Sequence, residues 1–200
     1  MKVLVTGAPG WLGTRLVEVL REQGRPVRCL IYPGTDDGYL KELGAEVFKA
    51  DLTAPETLNG LSRGISVVFH CAGIIHPKSI KDFYSVNVDG TKNIMEESIK
   101  GGVERFVYVS SNSVGGMNIS KDKLMEESDL PQPYKHYGIS KYKAERLVNR
   151  AFEGGRIKTT IIRPCWFYGI RQPDRQTLFF KMIKKGNPII FGNGNNLRSM

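Results

Sequence analysis

Apolar residues in this chain fall into short continuous runs, separated by stretches in which they recur every three or four positions. Runs of this kind bounded by glycine or polar residues predict buried strands, and the wider spacing predicts helices. Lys2–Thr6 (KVLVT) predicts a first strand. Trp11–Gln23 predicts a helix with Leu12, Leu16, Val19 and Leu20 on one face and Arg15, Glu18, Arg21 and Glu22 on the other. Val27–Tyr32, Glu46–Ala50, Ser66–Cys71, Arg105–Ser110 and Lys158–Arg163 predict five further strands. Between them, Asp37–Leu43, Pro55–Ser62, a long stretch from about Ile80 to Lys100, and Tyr137–Phe152 predict helices. The pairs Gly101–Gly102 and Gly154–Gly155 stand where C-terminal caps are needed. Asn112–Pro133 reads as loop or weak helix. After the sixth strand come an irregular Pro/Gly segment, a helix near Thr177–Lys185 and a short apolar run, Pro188–Phe191.

Strands that are apolar throughout, alternating with helices, predict an α/β fold: a doubly wound parallel sheet with helices on both faces. Two hundred residues, 40% of them hydrophobic, suffice for one such domain without staples. No apolar run reaches the eighteen or so residues of a membrane span, and the start, MKVLVTG, enters turn chemistry too soon for a secretory signal. Cys29, Cys71 and Cys165 are odd in number and lack CxxC spacing, so they read as reduced, buried thiols of a cytoplasmic protein.

Charge changes the picture only locally. Residues 1–100 balance, whereas the second half holds the whole net +9, and Arg156–Met200 has nine basic residues against one acid, Asp174. That excess suits either an anionic ligand or a solvated basic face.

Two constellations carry chemistry. Thr6-Gly7-Ala8-Pro9-Gly10-Trp11-Leu12-Gly13 joins the first strand to the first helix. Glycines at this spacing let the backbone turn sharply and approach a pyrophosphate, which then rests on the free N–H groups of the helix start. A tight strand–helix turn is the plain alternative. The second is Tyr137 and Lys141, a YxxxK pair whose members share a helix face. A nearby ammonium favours phenolate, which would lower the tyrosine pKa towards a range useful for proton transfer. Ser110, Ser111 and Ser113 follow the fifth strand at the end where ligands of such sheets bind. His70, His76 and His136 lie on different elements without metal-ligand spacing, so no metal site is expected.

The order of motifs resembles the extended short-chain dehydrogenase/reductase family, also called the NAD-dependent epimerase/dehydratase family. The matching segments are TGAPGWLG at Thr6–Gly13, Asp51-Leu52, HCAG at His70–Gly73, NVDGT at Asn87–Thr91, YVSS at Tyr108–Ser111, YGISK at Tyr137–Lys141 and RPCWFYG at Arg163–Gly169. The resemblance implies a Rossmann-type sheet over residues 1–165 that binds NAD(P). Residues 166–200 would begin a small C-terminal substrate-binding lobe whose remainder is absent, so a truncated fragment is expected. It further implies that Gly7, Gly10 and the Trp11-Leu12 backbone cradle the pyrophosphate. Asp51 would meet the adenine edge with Leu52 beside it, and Ala72 and Gly73 would line the cofactor path. Asn87 would lie near the cofactor and the catalytic helix, with Pro164 and Cys165 by the nicotinamide. Tyr137 would be the general acid/base, Lys141 the ribose-binding partner and Ser111 the substrate-orienting hydroxyl.

Two departures from the family pattern matter. Where many members end the second strand with a ribose-binding acid, this chain has Ile31, and Tyr32 stands where NADP users often place arginine. Lacking a basic partner for a 2′-phosphate, the chain favours NAD, with NADP left open. Trp166 replaces the asparagine with which many members hold a sugar diphosphate; it offers one N–H donor and much bulk.

The function so implied is reversible hydride transfer at a secondary alcohol or carbonyl carbon of a small molecule, either a nucleotide sugar or a hydroxysteroid-like compound. A catalytically silent NAD(P)-sensing regulator, or a nucleic-acid-binding protein on the same fold, is the alternative. The serine–tyrosine–lysine trio argues against it, because a pure binder has no need of one. No membrane or nucleic-acid partner is expected, and a homodimer is left open.

Overall fold

The computed structural model describes residues 1–117, 122, 124–186, 193 and 195. Six parallel strands form one sheet: β1 (Val3–Thr6), β2 (Val27–Ile31), β3 (Glu46–Lys49), β4 (Val67–His70), β5 (Arg105–Val109) and β6 (Lys158–Ile162). Their order is β3-β2-β1-β4-β5-β6. The chain therefore leaves β1 in one direction and returns to build outwards from its other side. This makes a switch point between β1 and β4, where open α/β sheets bind ligands. Val3 pairs with both Val27 and Val67, which sets the C-terminal ends of β1, β2 and β4 level.

The helices are α1 (Trp11–Glu22), α2 (Gly38–Glu42), α3 (Ile80–Tyr84), α4 (Gly90–Lys100), α5 (Lys135–Glu153) and α6 (Asp174–Lys184). Alternation along each strand sends residues to two cores. Leu4, Leu30, Val68, Phe106 and Tyr108 pack with Ile94 and Met95 of α4 and Ala144 and Val148 of α5. Val3, Val5, Cys29 and Ile31 pack with Val17 of α1 and Leu40 of α2 on the other side. The expected doubly wound sheet is present.

Several elements differ from expectation. Pro55–Leu58 is a short 3-10 turn, not a helix to Ser62. The long helix from Ile80 is interrupted by a π turn at Ser85–Asp89 before α4. Asn112–Val114 makes a 3-10 turn. On α1 the buried residues are Gly13, Thr14, Val17 and Glu18, while Leu12 is exposed. Glu18, assigned by its spacing to solvent, instead accepts from Arg15 and from the hydroxyl of Tyr39 and pairs with Arg171. The three cysteines are free, but only Cys29 is buried; Cys71 is half-buried, and Cys165 is exposed because it lies past the end of β6. The apolar run Pro188–Phe191 lies outside the described residues.

Candidate active site

The turn between β1 and α1 is built on missing side chains. Gly7 has φ +81, and a Cβ there would stand 2.6 Å from the backbone nitrogen of Ala72. A Cβ on Gly10 would meet the carbonyl oxygen of Gly7 at 2.7 Å, and one on Gly13 would meet the same oxygen at 2.6 Å. Real Cβ atoms do not approach backbone so closely, so all three positions are sterically reserved for glycine. In return, the loop carries the first N–H groups of α1 to the rim of a cleft of about 530 Å³.

Gly7, Gly10, Tyr32, Asp51, Leu52, Ala72 and Gly73 all line this cleft. Spacing alone did not single out Pro9, Thr35, Thr53 and Ile74, which line it as well. They belong to the turns after β1, β2, β3 and β4, so topology could have named the turns but not the side chains. Of the two remaining residues expected at the glycine turn, Trp11 opens α1 and Leu12 follows it. The Trp11 ring stacks on Phe167, centroids 4.8 Å apart, and its Nε1 donates to the carbonyl of Ile170 at 2.7 Å. A shape of this kind, apolar on its walls and with helix N–H groups at one end, fits a dinucleotide.

Ser111, Tyr137 and Lys141 do not line this cleft themselves; they stand beyond the end of it that Gly73 walls, with Lys141 behind that glycine. Ser111 follows β5, and its hydroxyl accepts from the Ser113 amide at 3.2 Å and from the Ser113 hydroxyl at 2.9 Å. Tyr137 is in the first turn of α5, its ring 6.0 Å from that of Phe83. Lys141 lies one turn further on, 3% exposed, and donates to the carbonyl of Val109 at 2.8 Å. Its Nζ stands 4.3 Å from the centre of the Tyr108 ring. A Cβ on Gly73 would be 3.6 Å from the Lys141 Nζ and 3.2 Å from Asn87 Oδ1, which joins this cluster to the cleft wall. Pro164 enters through its carbonyl, which accepts from Asn112 at 3.1 Å, and Cys165 follows it at the surface.

Electrostatics in the cluster differ from the expectation of a lysine-activated phenol. Burial raises the Tyr137 pKa, and the Ser111 hydroxyl is the group that opposes it. The Lys141 ammonium is turned to Val109, and burial brings its own pKa down to about 7 despite the attraction of Glu145. Glu145 is in turn clamped by Arg163 through bonds of 2.9 and 2.7 Å. The lysine therefore gives up its proton far more readily than an exposed one, and its ammonium is directed at a carbonyl.

Asn87 sits in the π turn, fully buried. Its Oδ1 accepts from the Ile74 amide at 2.8 Å, and its Nδ2 donates to the Ile74 carbonyl at 3.1 Å and to the Ser140 hydroxyl at 3.0 Å. The extra residue of a π turn, frequent at functional sites, turns this side chain inwards. Nothing in the spacing of SVNVDG announces it.

Trp166, Tyr168, Phe179 and Phe180 form an aromatic cluster after β6, with Trp166 and Phe180 nearly parallel at 6.2 Å. These residues pack on one another rather than into either sheet core.

The model of the NAD dependent epimerase/dehydratase family matches residues 3–200. The chain belongs to this family. Among its relatives, an uncharacterised protein of Sinorhizobium fredii is 40% identical over 99% of this chain and 59% of its own length. Sterol-4-alpha-carboxylate 3-dehydrogenase, decarboxylating, of Bos taurus is 34% identical over 96% of this chain and 54% of its own. Among solved structures, Thermus thermophilus UDP-glucose 4-epimerase in complex with NAD superposes with a TM-score of 0.82. It is 27% identical, covering 95% of this chain and 65% of that one. The chain thus spans between about half and two thirds of the length of these relatives. Among the described residues, no helix is long and apolar enough to cross a membrane.

Proposed function

We propose that this chain carries the cofactor-binding part of an NAD-dependent epimerase or dehydrogenase of the extended short-chain dehydrogenase/reductase type. It would act reversibly at a secondary alcohol or carbonyl carbon. The observation that supports this most is the bond between Ser111 and Tyr137 with Lys141 one helical turn further on, where Gly73 stands between the lysine and the glycine-walled cleft. When bound, NAD supplies a nicotinamide that accepts or returns a hydride. The chain supplies the rest. Gly7, Gly10 and the N–H groups of Trp11 and Leu12 would hold the pyrophosphate, with Tyr32, Asp51 and Leu52 at the adenosine end. Pro164 and Cys165 border the nicotinamide end. Tyr137 would hold and release the proton at its phenol oxygen, Ser111 would orient the substrate oxygen, and Lys141 would bind the ribose.

The raised Tyr137 pKa suits the protonated form, which donates to a carbonyl; oxidation of an alcohol requires the phenolate and gains at higher pH. The relatives named for UDP-glucose and for sterol carboxylates mark out two substrate classes, a nucleotide sugar and a hydroxysteroid-like compound. Trp166, in the aromatic cluster after β6, favours the ring-bearing, less charged one.

The test combines binding and turnover. NADH fluorescence should rise on titration with the protein, and more tightly than with NADPH. Screening nucleotide sugars, hydroxysteroids and secondary alcohols should then find turnover that Tyr137→Phe lowers by about 10²–10⁴ while cofactor binding is kept. Undiminished turnover in that variant removes Tyr137 from the mechanism.

A further inference from the structure

One fully buried ionisable group, His70 at the end of β4, has no place in the chemistry above. Its Nδ1 lies 2.7 Å from the hydroxyl of Thr6, and its Nε2 lies 3.0 Å from the hydroxyl of Thr91. The outer partner of Thr91 fixes the direction at Nε2, and the neutral ring then fixes the other bond. Thr6 Oγ1 accepts from the Ala72 amide at 3.2 Å and still has its own proton to give to an unprotonated Nδ1. Thr91 Oγ1 donates to the carbonyl of Asn87 at 2.7 Å, so it must accept from His70 Nε2. A neutral imidazole in this place therefore carries its proton on Nε2 and accepts from Thr6 at Nδ1. Burial, helped by the Lys141 charge, holds His70 in the neutral form by lowering its pKa to about 3. Phe106 and Tyr108 close over the ring at 5.7 Å, and the Tyr108 hydroxyl also faces Thr91, whose oxygen has a second lone pair to accept from it.

This chain does not stop at Asn87. The Asn87 side chain grips Ile74 and donates to the Ser140 hydroxyl, and Ser140 donates to the carbonyl of Tyr137 at 2.8 Å. At its other end, Thr6 immediately precedes Gly7. Hydrogen bonds, joined by covalent links within Asn87 and from Thr6 to Gly7, thus connect the glycine turn through His70 and the π turn to the backbone of the tyrosine.

We propose that His70 is a positioning residue, whose neutral imidazole between Thr6 and Thr91 sets the Asn87 turn and so the frame in which Tyr137 meets the cofactor. The proposal rests on the reading of Ser111, Tyr137 and Lys141 as the site. A neutral ring is required because a second ring proton would meet Thr6 and reverse its hydroxyl. Buried polar chains of this kind specify one arrangement only when every member is satisfied, which is the case here.

The variant that tests it is Thr91→Val, which keeps the shape and removes the hydroxyl, with Thr91→Ser as its conservative partner. Thr91→Val should lower turnover about tenfold with little change in NADH affinity, and Thr91→Ser should restore it. The same pair is read without substrate by hydrogen exchange at the Ile74 amide, which Asn87 Oδ1 holds. Exchange should quicken about tenfold in Thr91→Val and stay at the wild-type rate in Thr91→Ser. Imidazole nitrogen NMR of the unmodified chain should show His70 as the neutral Nε2–H form, unchanged down to about pH 5. Wild-type turnover and exchange in Thr91→Val, or equal impairment in Thr91→Ser, would overturn the positioning role. A protonated Nδ1 at neutral pH would overturn it even if Thr91→Val fails to fold. Undiminished turnover in Tyr137→Phe would instead strike the site reading, and the Ile74 and imidazole measurements would still judge His70.

Discussion

The two ends of the cleft are made by opposite means. At the glycine turn, the backbone is the active surface, and what matters is the absence of Cβ atoms at Gly7, Gly10 and Gly13. At the other end, side chains are the active surface, and what matters is where Ser111, Tyr137, Lys141 and Asn87 are held. A substitution at the first end therefore damages the fold and the cofactor site together. At the second end, chemistry can be removed while the fold survives. Gly7→Ala should be the most damaging single change. It places a Cβ 2.6 Å from the backbone of Cys71 and Ala72 at a φ of +81, and neither strand end can retreat without disturbing the sheet. We expect a loss of about 3 kcal/mol or more in denaturant unfolding, and loss of NADH binding in whatever remains folded. A variant of unchanged stability would erase the contrast between the two ends.

The same contrast explains what could be read in advance. Glycine spacing after an apolar strand is a backbone statement in a local segment, so Thr6–Gly13 is legible from the sequence. The parallel sheet with helices on both faces follows from the alternation of elements for the same reason. The misread features depend on partners far along the chain. Glu18 is buried because Tyr39 and Arg171 reach it, and no helical period contains that information. The π turn at Ser85–Asp89 looks like ordinary helix in sequence; Asn87 is drawn inwards by Ile74 and Ser140. Lys141 was found by its spacing from Tyr137, but spacing could not say that its ammonium turns to the Val109 carbonyl or that burial weakens its charge.

That burial gives the next effect, of intermediate size. The Lys141 pKa falls from an ordinary 10.5 to about 7 in the folded chain. Below about pH 7 both folded and unfolded chains hold the proton, and the folded state bears the full cost of a buried ammonium. Between about pH 7 and 10 the folded lysine is neutral while the unfolded one is still charged, so the unfolded state binds more protons and stability rises with pH. Relative to Lys141→Met, the wild-type chain should gain stability, on the order of a few kcal/mol, across this window and no more beyond it. Paired denaturation curves from pH 6 to 10 read the difference. A flat difference would mean that the site end of the cleft is as open to water as a surface helix.

The smallest expected effect lies where the glycine end meets the segment after β6. Arg171 reaches back to pair with Glu18 at 2.9 Å, donates to the Tyr39 hydroxyl at 2.8 Å and stacks over the Tyr39 ring at 4.2 Å. Its own side chain is half exposed, so solvent screens the pair, and Glu18 keeps Arg15 and Tyr39 when Arg171 is lost. Arg171→Ala should therefore cost about 1 kcal/mol or less, with NADH affinity close to wild type. Thermal unfolding and an NADH titration of this one variant are sufficient. A loss of several kcal/mol, or of cofactor binding, would show that the segment after β6 is part of the frame that shapes the glycine turn. The cleft would then have three ends to its construction rather than two, because the fit of α1 to the sheet would depend on a contact made after the last strand.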